Sequence, residues 1–260
     1  MGDTTTKEEL DGIVESFRAK VDEVKKQPAK LNDKFDKLKW AWTQAYWMYT
    51  DVRDEAQENL KTLLEKLEEA AEGIAAPFLF IDYAAKWQQV GNSVSQVNNR
   101  QNDSKVNMEG HWDGTAYTKF KESRNYQATA MTNIAEMCQK VHAELLTLAA
   151  EGRNFYKQII DKLATLLAQL GIALGGIASV AGAPWGIDKF NDAIVTAVEL
   201  VAGAITSFFE LQSKVFISSN ELKNIVNHPP GFPTGTDGKD HWPDSVADGF
   251  DDKDEWKLAQ

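Results

Sequence analysis

Between residues 30 and 75 apolar side chains recur at alternating steps of four and three: Leu31, Phe35, Leu38, Trp42, Ala45, Tyr49, Val52, Ala56, Asn59, Leu63, Leu67, Ala70, Ile74. Asn59 is the single polar member of this ladder. A seven-residue repeat held this long specifies a helix whose seam lies against another helix, and it leaves no alternating pattern for a strand. Read as one helix, the stretch would run about 70 Å. Trp40, Tyr46 and Trp47 fall off the seam, so a second apolar face also needs covering.

Further ladders flank it. Residues 5–26 carry Leu10, Ile13, Val14, Phe17, Val21 and Val24 on one helical face, with Thr5 or Thr6 as cap and Glu8 and Glu9 in the first turn. Gly73 and Pro77 mark a break, after which Phe80, Ala84, Trp87, Gly91, Val94 and Val97 keep helical spacing to about residue 100. A second arm follows with Gln127, Met131, Ile134, Cys138, Val141, Leu145, Leu148, Gly152, Phe155 and Ile159. Of seven prolines, four lie in the last 32 residues, so the long ladders run uninterrupted. These patterns predict an all-α protein without a sheet: an elongated antiparallel helix bundle built on a long αα-hairpin.

The hairpin's reversal falls at His111-Trp112-Asp113-Gly114-Thr115-Ala116. Gly114 supplies the backbone freedom of a tight turn. Asp113 or Thr115 is expected to cap the next helix. Trp112 is expected to lie across the open end of the helix pair, with Ala116 and Phe120 on its side of the following helix.

Residues 163–187 carry no charge over 25 positions, and small residues recur in them at spacing four, Gly171 with Gly175 and Ala178 with Gly182. Pro184-Trp185-Gly186 breaks the run, and a second ladder follows: Phe190, Ile194, Ala197, Val201, Ala204, Phe208, Leu211, Val215. The far side of that ladder is also apolar, so both members of this hairpin are expected to be buried, in protein or in lipid. Burial against the long helices is the first expectation. The alternative is a membrane-active or pore-forming hairpin at 163–215, because such a run spans about 30 Å of hydrocarbon and small-x-x-x-small spacing favours helix contact in lipid.

From about residue 218 the composition is that of turn and coil, and residues 237–257 hold eight acids against three lysines. A disordered acidic tail is expected there. The reading divides the chain into N-terminal helices at 1–76, the hairpin at 77–161, the apolar hairpin at 162–217 and the tail at 218–260.

Little in the sequence points to chemistry. The net charge of −11 argues against nucleic-acid binding. The one cysteine, Cys138, allows no intrachain disulfide. No two of His111, His142, His228 and His241 stand at a metal-ligand spacing, and neither a phosphate-cradling glycine loop nor a G-x-S-x-G turn occurs. The expectation is a non-enzymatic protein without cofactor or metal. The polar start, MGDTTTKEEL, has no apolar core of a cleavable signal peptide.

Residues 77–165 resemble the WXG family of helical-hairpin proteins exported by bacterial type VII (ESX) secretion. The resemblance rests on Trp112 and Gly114, on Trp87 in the first arm, and on Ala116 and Phe120 after the turn. Pro77 precedes Trp112 by 35 residues, and the second arm runs about 50 residues beyond it. With its extra helices the chain is similar to larger members, the fused Pro-Glu and Pro-Pro-Glu proteins of actinobacteria. The resemblance implies export in a folded state without a cleavable signal, from the cytoplasm to the outside. It also implies contact with the secretion machinery, and a helical partner or a homo-oligomer. The family's export signal is an aromatic residue followed four positions later by an acid. None of the six tyrosines has one, and Phe250 with Asp254 fits a phenylalanine version in the tail. Otherwise the resemblance implies a partner that carries the signal.

Overall fold

The computed structural model describes residues 5–41, 47, 49–106, 108–177, 183–228, 231–243 and 257–258. The fold is all-α. Its helices are α1 (Lys7–Lys25), α2 (Gln27–Ala41), α3 (Thr50–Glu72), α4 (Ala76–Gln101), α5 (Thr115–Ile177) and α6 (Ala183–Asn227), and α5 alone is 63 residues long. Internal contacts divide the chain into two compact units, Met1–Ile81 with Leu146–Ser213, and Asp82–Leu145 with Lys214–Gln260.

The first unit is a bundle of four members, α1 and α2 end to end forming one of them. Its core joins one stripe from each member: Leu31 and Phe35 continue the α1 stripe of Ile13, Phe17, Val21 and Val24, facing Leu60, Leu63 and Leu67 of α3. Ile159, Leu163, Leu166 and Leu170 of α5 and Phe190, Ile194, Ala197 and Val201 of α6 complete it. Phe155 stacks on Phe208 at 4.7 Å. Tyr156 meets Phe17 edge-on and donates its hydroxyl to the carbonyl of Ala70 at 2.8 Å, and burial pushes its pKa up.

Thr6 caps α1 by accepting the N–H of Glu9 at 3.2 Å, within the pair of cap residues the sequence offers. Pro28 does not end the chain's helical course. It sits in the first turn of α2, where a missing N–H is tolerated, and the Gln27 side chain donates to the carbonyl of Glu23 at 2.9 Å.

The single helix expected over 30–75 is instead two antiparallel ones. α2 stops at Ala41 and α3 starts at Thr50, and α3 folds back: Gln57 donates to the carbonyl of Pro28 and to Asn32, and the Arg53 guanidinium lies 5.5 Å over the Phe35 ring. The heptad phase carries across because both arms use the same spacing to face one core. Trp42 and Ala45 of that ladder lie outside the described residues. Asn59, its polar member, donates to the side chain of Asn191 on α6 at 2.8 Å, so the polar position has a polar partner inside the bundle.

Glu9 ties α1 to α5. Its carboxylate accepts from Lys157 at 2.9 Å and from the buried Arg153 at 3.3 Å. The Lys157 hydrogen bond, helped by Arg153, holds the Glu9 carboxyl below its ordinary value of 4.5. A depressed carboxyl contributes stability above its unfolded pKa and loses it as pH falls through the folded value. The melting temperature is therefore expected to fall with acid below about pH 4.5, and Glu9→Gln should flatten that acid slope while lowering the neutral-pH value by about 2–4 °C. Thermal melts of both proteins from pH 7 to pH 3 check this.

In the second unit α4 runs antiparallel to the first part of α5. Asn98 donates to Thr132 at 3.2 Å, Gln101 to Gln127 at 3.2 Å, and a ring nitrogen of His142 bonds the carbonyl of Ala84 at 2.9 Å. Gly91 permits the close approach: a Cβ there would sit 3.0 Å from Cβ of Cys138. Residues 102–114 join the two helices, with a short 3-10 turn at Ser104–Val106.

Part of the expected tail is ordered. α6 continues to Asn227, past the anticipated fade at 218. Residues 231–243 form a turn held by Thr234 and His228 on Asp240 and by His241 on Asp237. Those partners lower both aspartates' pKa values, Thr234 being the main cause at Asp240 and His241 at Asp237. The turn is fixed to α5 through Gln127, whose amide donates to the carbonyl of Pro243 at 3.0 Å. Gly231, at φ +86°, lets the backbone pass 3.1 Å from the N of Ala130 at the Cβ position. The expectation of no sheet meets one small exception, a two-residue antiparallel ladder between β1 (Trp112–Asp113) and β2 (Lys257–Leu258).

Candidate functional site

Two features of the sequence reading fall in separate units. The turn of the α4–α5 hairpin belongs to the second. Met108 begins a tight reversal in which its carbonyl accepts the N–H groups of His111 and Trp112, at 3.0 and 3.2 Å. Gly110 and Gly114 then take φ values of +79° and +96°, open to glycine at little strain. Gly114 itself heads α5: its carbonyl accepts from the N–H of Thr118 at 3.1 Å. The cap is therefore the glycine, and not Asp113 or Thr115 as the sequence suggests. A backbone at positive φ already turns the chain there, so the cap position goes to the residue that tolerates it.

Trp112 is buried, with its ring 5.4 Å from Phe120 and 5.9 Å from Tyr117. Ala116 and Phe120 are both half-buried. Tyr117 was not legible as a partner from helical spacing, because Trp112 lies outside the helix and meets it from the turn. Two cations extend the cluster: Arg124 lies 5.6 Å over Phe120 and Lys121 6.0 Å over Tyr117. Lys121 also bonds Glu109 at 3.2 Å, which raises the lysine's pKa. Beside this cluster is an open cleft of about 340 Å³ lined by Gln101, Asp103, Met108, Glu109, Phe120 and Arg124. The groups that meet here are aromatic, amide and oppositely charged, suited to holding surfaces together. Among the described residues no cluster of three His, Cys, Asp or Glu gathers as a metal site would.

The apolar hairpin belongs to the first unit and is buried on one side only. Leu163, Leu166, Leu170, Ala173 and Ile177 face the core, whereas Ile172 is 65% exposed and Gly171 and Gly175 are open to solvent. On α6, Trp185, Leu200 and Phe209 are exposed. Full burial against the long helices is thus not what the structure shows. Each helix offers one stripe to a four-membered core, and two of the four carry apolar residues on the outside as well. Helices α5 and α6 each contain an 18-residue stretch apolar enough to cross a membrane, and only 33% and 22% of those stretches are buried. Among the described residues a Cβ at Gly171, Gly175 or Gly203 would meet nothing within 4 Å. Gly186 differs: a Cβ there would lie 2.6 Å from the N of Ile177, so this glycine sets the approach of α6 to α5. Ala178 and Gly182, like Phe250 and Asp254, lie outside the described residues.

No known protein family, curated protein or solved structure matches the chain.

Proposed function

We propose that this chain is a non-enzymatic helical protein of the WXG secretion type, exported folded by a type VII (ESX) route and acting through protein–protein contact. The observation that carries the reading is the reversal between α4 and α5. There a W-x-G sequence uses its glycine, at φ +96°, as the helix cap and its tryptophan as the packing centre of the turn. An aromatic-centred turn is a shape that a secretion apparatus or helical partner can read without unfolding the chain. The test is export from a bacterium with an active type VII system. Wild type should reach the culture filtrate, and Gly114→Ala, which forces a side chain into positive φ, should be retained in the cells. Equal export of the variant would remove the turn from the account.

A second reading is favoured by the uncovered outer face of α5 and α6: the first unit acts on lipid bilayers through its apolar hairpin. Four carboxylates on the part of α6 within the first unit, those of Asp188, Asp192, Glu199 and Glu210, oppose transfer into hydrocarbon while ionised. Dye release from anionic vesicles should therefore be weak at neutral pH and stronger in acid, followed down to about pH 4.5. Vesicles that stay intact over this range would end this reading and leave the first.

A further inference from the structure

The extended pair Trp112–Asp113 is fixed by the turn around it. The carbonyl of Met108 accepts the N–H groups of His111 and Trp112, and Gly110 and Gly114, at φ +79° and +96°, bend the chain on either side. Between the two bends a short stretch of backbone stays extended, just ahead of the first turn of α5. Extended backbone presents an edge of N–H and C=O groups with which another extended segment can pair. The protein fills that edge from the far end of its own sequence. Lys257–Leu258 pairs with it antiparallel, Trp112 opposite Leu258 and Asp113 opposite Lys257.

Two properties make this pairing exchangeable. Each strand is two residues long, against about five or six in an ordinary strand, so few main-chain bonds hold the ladder. The pairing is also made by main chain, which selects an extended shape more than a sequence. Selectivity has a place beside it. The open cleft of about 340 Å³ is lined by Val106, Met108 and Phe120, among others, and the first two are exposed apolar side chains. Phe120 packs on the Trp112 ring at 5.4 Å, and Met108 closes the turn that fixes Trp112, so cleft and strand edge share one framework. An edge with an adjoining cleft is the arrangement by which strand addition works: the ladder supplies affinity, and pockets beside it take the incoming side chains.

We infer that the Trp112–Asp113 edge is a strand-addition site for an extended segment of a partner protein, with Lys257–Leu258 as its resident occupant. The segment that fits carries an apolar side chain next to the paired residues, placed to enter the cleft against Phe120 and Met108. The inference rests on the first reading above for the partner, a protein met during export, and adds that this partner must displace the C-terminal strand.

The test uses the purified full chain and a fluorescein-labelled peptide of the chain's own residues 254–260, DEWKLAQ. In the variant Lys257→Pro/Leu258→Pro the resident strand loses two N–H groups and cannot form the ladder. Peptide binding is followed by anisotropy to about 1 mM, and its position by the amide shifts of Trp112, Asp113 and Phe120. The proline variant should keep the helical content of wild type and bind the peptide, with all three amides shifting. Wild type should bind roughly tenfold more weakly, because its own strand competes at the effective concentration of a tethered segment. The variant Asp113→Cys/Lys257→Cys places a disulfide between register partners; oxidised it should bind no peptide, and reduced it should bind as wild type does. No binding by the proline variant, binding no tighter than that of wild type, or shifts elsewhere would overturn the site. So would failure of the two cysteines to join. Because binding is measured without a secretion system, the two readings separate. Peptide binding by a chain whose export ignores the secretion ATPase would support the site and overturn the secretion reading. ATPase-dependent export of a chain that binds no peptide would overturn the site alone.

Discussion

Ile177→Asp is expected to unfold the first unit, and Ile172→Asp, five positions earlier on the same helix, is expected to leave it folded. Ile177 is 1% exposed and lies against Gly186, where α6 packs closely on α5. A carboxylate there loses the buried isoleucine contacts and finds neither water nor a cation among the apolar residues of the core. The combined penalty is about 4–5 kcal/mol, a large share of a typical domain's stability. Ile172 is 65% exposed, so an aspartate there remains hydrated and changes stability by about 0.5 kcal/mol or less. Chemical denaturation of the two variants separates these outcomes. If α5 were buried on all sides both variants would unfold, and if neither did, the inner stripe would not be the core.

Trp112→Ala is expected to loosen the turn of the second unit. Its ring is 9% exposed and packs on Phe120 and Tyr117, so truncation removes aromatic contacts worth about 3 kcal/mol. The β1 strand that pairs with Lys257–Leu258 includes Trp112 itself, so the C-terminal strand should be released as well. Hydrogen exchange is the sharp measurement. Amides of the first turns of α5 and of 257–258 should lose protection, whereas those of α3 in the first unit should not. Unchanged protection around the turn would show that the tryptophan is not its packing centre.

The helical class was legible because one physical rule, apolar residues at steps of three and four, held over most of the chain. The α4–α5 pair was legible for the same reason, with Gly73, Pro77 and the W-x-G marking its limits. The reversal between α2 and α3 was not. No glycine or proline occurs between Ala41 and Thr50, and antiparallel arms in the same heptad phase are indistinguishable from one long helix by periodicity. Asn59 was the available signal, a polar residue on a seam that becomes intelligible only when Asn191 stands opposite. The Gly114 cap was masked by Asp113 and Thr115, better cap formers by side chain, because a positive φ is set by the whole turn. The exposed outside of α5 and α6 was not legible either. Hydrophobicity on all sides of a helix states a need for cover, and whether the cover is protein depends on how many partners surround it.

Export dependence tests the central claim most directly. The full chain, carrying a C-terminal epitope and expressed in an actinobacterium with a type VII system, is measured in the culture filtrate of the parent and of a strain lacking the system's ATPase. A cytoplasmic marker controls for lysis. The account predicts protein in the parent's filtrate and its retention in the ATPase-deficient cells. Equal amounts outside both strains, or none outside either with the remaining secretion partners co-expressed, would contradict it.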